Sequence, residues 1–251
     1  MSISENIERL DAIMHRLRDP DTGCEWDKVQ TFKTIAPYTI EEPYEVADAI
    51  HREDMDALAD ELGDLQLQVV FHSTIAESAG HFTLDEVLAK ICDKMERRHP
   101  HIFGDDPDGG HHRWEEIKAA ERAENPDKSA LAGVALALPA LERAHKLQKR
   151  AARTGFDWPD ASGAKAKIAE ELHEVEEAES DTERAEEIGD LLFAVVNFAR
   201  FLKVEPEEAL RQANRKFERR FRAIEAHPDF ADADLDGKEA LWQVAKRDQS
   251  V

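Results

Sequence analysis

Glu170-Glu171-Leu172-His173-Glu174, followed by Glu187-Ile188-Gly189-Asp190, is the stretch that decides how this chain folds. Steps of three or four residues stay on one face of an α-helix, so Glu170, Glu171 and Glu174 fall within a stripe about 100° wide. Glu187 and Asp190 form a second facing pair by the same rule. The 13 residues from Glu174 to Glu187 leave room for a helix end and a turn. Two such helices side by side aim four or five carboxylates at one point. Uncompensated, that cluster repels itself, and hard divalent cations with oxygen ligands are the usual remedy.

The pattern occurs twice. Glu41-Glu42-Pro43-Tyr44-Glu45 precedes Glu61-Leu62-Gly63-Asp64, with 16 residues from Glu45 to Glu61. Aspartate and glutamate make up 55 of 251 residues, so one acidic string is commonly just a solvated helix face. The ordered recurrence outweighs that reading. Each E-x-G-D also leads into apolar sequence, Leu65 to Phe71 and Leu191 to Val196, which puts the acids at the edge of a core-facing segment. Gly63 and Gly189 hold equivalent helical places, where glycine costs about 0.5–1 kcal/mol relative to alanine. That cost predicts close approach of another helix or of a ligand.

The repeat extends beyond the acids. Both halves carry a tryptophan turn before the first acidic helix, Cys24-Glu25-Trp26-Asp27 and Gly155-Phe156-Asp157-Trp158. Both carry a basic helix after the apolar run, with Lys94, Arg97 and Arg98 in one and Lys216, Arg219 and Arg220 in the other. Both end in W-x-x-x-K, Trp114 to Lys118 and Trp242 to Lys246. Their common order points to duplication and a shared site geometry. Helical periodicity covers residues 3–18, 34–51, 55–79, 84–98, 114–122, 138–153, 164–178, 182–202, 205–225 and 238–246, with Thr83 and Glu86 as a capping box. Residues 99–110 read as loop. The fold class expected is all-α: two tandem helical-bundle domains, residues 1–125 and 129–251.

A net charge of −22 and a sequence pI near 4.9 argue against a nucleic-acid or anionic-membrane surface. Two cysteines without C-x-x-C spacing, and a start without a basic, apolar leader, lead to the expectation of a cytoplasmic protein. No apolar run approaches the roughly 20 residues that span a bilayer. P-loop, dinucleotide and nucleophile-elbow signatures are missing. Asp106-Pro107-Asp108-Gly109 with Glu115 fails as a calcium loop because Gly104 would be its first ligand. The histidines at 99, 101, 111 and 112 lack helical metal spacing. What remains is a cation held by carboxylates, with Lys216 and Arg220 on one helix face and Trp242 and Lys246 on another. Metal plus cationic side chains suits a triphosphate, and an indole could stack on its base.

These residues resemble the MazG nucleoside triphosphate pyrophosphohydrolases. The likeness runs through Trp26 to Thr31, both acidic pairs, the run from Lys94 to Phe103, Leu147 to Arg153, and Lys216 to Phe221. It implies helical bundles completed across a homodimer. It also implies magnesium-dependent hydrolysis of NTPs and dNTPs to nucleoside monophosphate and pyrophosphate, with manganese as a substitute metal and nucleotide-pool house-cleaning as the role. By that resemblance Glu171, Glu174, Glu187 and Asp190 are the catalytic metal ligands. Lys167, Glu170, Lys216, Arg220, Trp242 and Lys246 bind substrate, and Glu41, Glu42, Glu45, Glu61 and Asp64 form a possible second metal site. The halves differ: Tyr38 stands where the second half has Lys167, and Pro43 interrupts the first acidic motif, which puts the placement of Glu42 relative to Glu45 in question. The second site is therefore expected to dominate catalysis. The rival reading is a non-catalytic, metal-stabilised module.

Overall fold

The computed structural model describes residues 2–104, 117 and 126–248; helices joined by turns account for them, with no strand. The chain divides into two compact units, residues 1–119 and 120–251.

The first unit contains α1 (Ile3–Leu17), α2 (Phe32–His51), α3 (Met55–Ser78), α4 (Leu84–Arg98) and α5 (Pro100–Phe103). Side chains at the helix starts set the boundaries. Ser2 with Glu5 and Thr83 with Glu86 form reciprocal capping boxes that satisfy orphan N–H groups of α1 and α4. The expected loop after residue 98 instead opens with the short turn of α5. Pro100 occupies its first position, where a missing N–H is harmless. Helices α2 and α3 pack along each other, with α1 and α4 against α3. Met14, Ile35, Val70, Phe71, Ile75 and Leu84 form the core. Each such side chain contributes about 1.5–3 kcal/mol on burial.

One expectation is corrected here. Helix α2 runs unbroken through Pro37 and Pro43. Pro43 gives up only the N–H that would reach the Thr39 carbonyl, while its ring holds φ near the helical value, so Glu42 and Glu45 keep their common face. Within their own units nothing packs on Gly63 or Gly189. A Cβ on Gly63 or Gly189 would meet nothing within 4 Å, because each lies on an exposed flank of its helix.

The second unit contains α6 (Ala140–Ala152), α7 (Ala161–Glu177), α8 (Asp181–Phe201), α9 (Pro206–Glu225) and α10 (Leu235–Asp248). Helices α7 and α8 form a tight hairpin, started on the α8 side by a Ser180–Glu183 capping box. Helix α6 packs along α8, and α9 contacts α10 and α6. After α6 the chain reverses at Gly155, whose φ of +84° suits a residue without Cβ. The turn that follows delivers Phe156, Asp157 and Trp158 towards the α7–α8 hairpin. On α8, Leu192, Phe193 and Val195 remain 44–51% exposed. No described helix is long and apolar enough to cross a membrane.

Candidate active site

The α7–α8 hairpin brings the second acidic pair together. Carboxylate oxygens of Glu171, Glu187 and Asp190 lie within 4.8 Å of one another, and so do those of Glu170, Glu171 and Glu174. Glu171 belongs to both groups and is only 3% exposed. Its Oε1 sits 2.5 Å from Lys167 Nζ, while its Oε2 is buried with no hydrogen-bond partner. Leaving a carboxylate oxygen buried and unpaired is costly. A buried carboxylate with one unpartnered oxygen, grouped with further carboxylates, is the donor set of a hard divalent cation, so these residues fit magnesium. Desolvation, then repulsion from Glu171, holds the Glu174 carboxyl above its ordinary value, with Glu187 adding to it and Lys167 opposing it. The Lys167 ammonium is raised by its hydrogen bonds to Glu170 and Glu171. Glu170 itself is largely exposed and accepts from Lys167 Nζ at 2.7 Å.

Beside these carboxylates opens a cleft of about 690 Å³, within the range of small-molecule sites. Lys167, Glu171 and Asp190 line its acidic part, and Leu147, Ala164, Phe193 and Ala194 its apolar walls. Further along α8 come Asn197 and Arg200, facing Asp157 and Trp158. Lys216, Arg220, Trp242 and Lys246 are not among the lining residues. Trp242, partly exposed, lies beside Phe217 with ring centroids 5.3 Å apart. Lys216 is exposed and Arg220 partly so, on the α9 surface. Trp158, Asn197, Arg200 and Gln148 were not expected from the sequence. The hints were the Gly155 to Trp158 turn, a landmark of the repeat, and the Leu147 to Arg153 run, which contains Gln148.

Residues 30–103 and 162–224 match the MazG nucleotide pyrophosphohydrolase domain. The chain belongs to the MazG family. It is 49% identical to the nucleoside triphosphate pyrophosphohydrolase of Escherichia coli (strain K12), over 97% of this chain and 98% of that protein. It is 47% identical to the nucleoside triphosphate pyrophosphohydrolase/pyrophosphatase MazG of Thermotoga maritima, over 87% of this chain and 85% of the relative. An uncharacterized Bacillus subtilis protein is 45% identical over 94% of this chain, which spans 50% of that protein.

The two MazG segments use the same acidic pattern in different surroundings. In the first, oxygens of Glu42, Glu45 and Glu61 come within 4.8 Å of one another. Asp64 adds repulsion to Glu42 and Glu61, both held above the ordinary carboxylate range chiefly by desolvation. Glu41 is exposed and stands outside this group. Here Gln68 donates from Nε2 to Glu42 Oε1 at 3.0 Å. The equivalent residue of the second MazG segment, Ala194, has nothing to donate, and Glu171 Oε2 is left orphaned. Tyr38 replaces Lys167 and Phe71 replaces Asn197. Trp26 closes over both, with ring centroids 6.1 Å from Tyr38 and 6.3 Å from Phe71. The first unit thus carries aromatic side chains at the two positions where the second has Lys167 and Asn197. The second W-x-x-x-K candidate pair, Trp114 and Lys118, lies outside the described residues, as do the 106–109 stretch, Glu115, His111 and His112.

Proposed function

We propose that this chain hydrolyses nucleoside triphosphates to nucleoside monophosphate and pyrophosphate in the α7–α8 cleft, and that it serves the upkeep of the nucleotide pool. The observation that carries this reading is Glu171, a buried carboxylate with an unpartnered Oε2, which belongs to both carboxylate groups and lines a nucleotide-sized cleft. Glu171, Glu174, Glu187 and Asp190 would hold magnesium, or manganese in its place. When bound, the metal would supply charge neutralisation for phosphate oxygens and a stronger oxygen nucleophile at neutral pH. Lys167 Nζ, at the edge of the same carboxylates, is placed to donate to a phosphoryl oxygen. Apolar side chains, among them Ala164 and Ala194, flank the acidic part of the cleft where the phosphates would sit.

The names of the Escherichia coli and Thermotoga maritima relatives support the same activity. Tyr38 and Phe71, in place of Lys167 and Asn197, support assigning turnover to the second unit. A homodimer is part of this proposal: Leu192, Phe193 and Val195 form an apolar face on α8 that a second copy would cover. Pyrophosphate release with and without magnesium, from the intact chain and from Glu171→Gln, tests the site. Magnesium-dependent release that the variant loses supports it, and equal release from both overturns it.

A further inference from the structure

The far part of the cleft contains two carboxamides whose hydrogen-bonding sense is fixed by their neighbours. Arg200 grips Asp157 with both terminal nitrogens, Nη1 donating to Oδ2 at 2.9 Å and Nη2 to Oδ1. The same guanidinium donates to Asn197 Oδ1 from Nε at 3.0 Å and from Nη2 at 2.8 Å. An arginine only donates, so the Asn197 oxygen must face it, and the amide nitrogen is left as a donor with no partner among the described residues. Gln148, 7% exposed, is fixed in the opposite sense. Its Nε2 donates to the Phe193 carbonyl at 2.8 Å, and its Oε1 is buried without a partner. Phe193 is also the helical acceptor for the Asn197 backbone N–H, and Gln148 and Asn197 line the same cleft. The pair presents one donor and one acceptor.

Asn197 lies seven residues beyond Asp190 on α8, two turns along the same face and about 10.5 Å away. That separation suits a nucleotide with its phosphates at the carboxylates and its base at Asn197. Trp158 lines the same end, and its indole rests against Gly163, where a Cβ would come within 2.6–2.8 Å of the ring. Any larger residue at 163 would push this platform away.

We infer that Asn197 and Gln148 read the keto and ring N–H edge of the base, with Trp158 as its stacking surface and Arg200 and Asp157 as positioning residues. The Asn197 amide donates to the exocyclic oxygen, and Gln148 Oε1 accepts from the adjacent ring N–H. Hypoxanthine, guanine, uracil and thymine offer that pair; adenine and cytosine present a donor amino group beside an acceptor nitrogen, the reverse order. Small side-chain adjustments of the kind common on binding admit the ring N–H to Gln148. The inference rests on the nucleotide reading given above.

The test is a comparison of inosine with adenosine triphosphate and of uridine with cytidine triphosphate, using the intact chain with magnesium. One mismatched edge is expected to separate kcat/KM by roughly tenfold, mainly through KM. Asn197→Ala should bring each ratio close to one, and Asn197→Asp should turn the preference towards the amino bases. Trp158→Ala should raise KM for all four alike. Equal kcat/KM within each wild-type pair, or a preference that survives Asn197→Ala, overturns the inference. Calorimetric binding of inosine and adenosine monophosphates separates the two claims because it needs no turnover. Tighter inosine binding that depends on Asn197, in a protein that hydrolyses none of the triphosphates, upholds the base subsite and refutes the reaction. Hydrolysis without that dependence does the converse.

Discussion

Replacing Ala194 by glutamine should convert the second site towards the first. Ala194 lines the cleft at the place where the first unit has Gln68, whose amide donates to Glu42 at 3.0 Å. A glutamine there can donate to Glu171 Oε2, the oxygen now buried without a partner. Hydrogen bonds to charged groups contribute about 1.5–3 kcal/mol, and a cation must displace this one to use that oxygen. At about 1.4 kcal/mol per tenfold, the magnesium needed for half-maximal activity should rise about ten- to a hundredfold. The cleft has space for the longer side chain, so the fold should survive. Two assays read the effect: pyrophosphate release against magnesium concentration, and the melting temperature against magnesium without nucleotide. Circular dichroism checks that the variant is folded. A folded Ala194→Gln protein with wild-type magnesium curves in both assays would refute the role given to Glu171.

Other consequences follow from the same geometry. Glu174→Ala or Asp190→Ala should cut turnover by orders of magnitude, and Glu45→Ala much less; equal losses in steady-state assays would show that both sites work alike. The Glu174 carboxyl is raised by desolvation and by repulsion from Glu171, so between its unfolded and folded pKa values the folded state binds more protons. Stability from this group is therefore present below the ordinary carboxylate range and is lost as pH rises through the folded pKa. In chelator, Glu174→Gln should melt above the wild type at neutral pH, with the gap closing on acidification; a gap independent of pH would contradict this. Light scattering at micromolar concentration should give about twice the 28.4 kDa chain mass, and a fully active monomer would remove the dimer from the account.

The helices were legible because their signals are local. Period, caps such as Thr83–Glu86, and the three- and four-residue spacing of Glu171, Glu174, Glu187 and Asp190 all sit within a few turns of chain. The duplicated pattern also foreshadowed that each acidic pair is brought together by two packed helices. What stayed hidden depends on contacts between elements. Trp158 and Trp242 look equally suited to a base, and only the reversal at Gly155 with the bare surface of Gly163 brings the former to the cleft. Lys216 and Arg220 share a helix face by spacing, but spacing does not say what that face meets. At Gly63 and Gly189 the cost in a helix is visible in sequence, whereas the open space beside each, free for a ligand or a second copy, is visible only in the structure. The contrast between Gln68 and Ala194 reads as two unremarkable core positions until the facing glutamate is in view.

The most direct test of the central claim is product analysis after incubation of the intact chain with a panel of NTPs and dNTPs, with magnesium and with chelator. The account predicts nucleoside monophosphate and pyrophosphate in equal amounts, formed only when the metal is present. Nucleoside diphosphate with orthophosphate, or no turnover in magnesium, would contradict it.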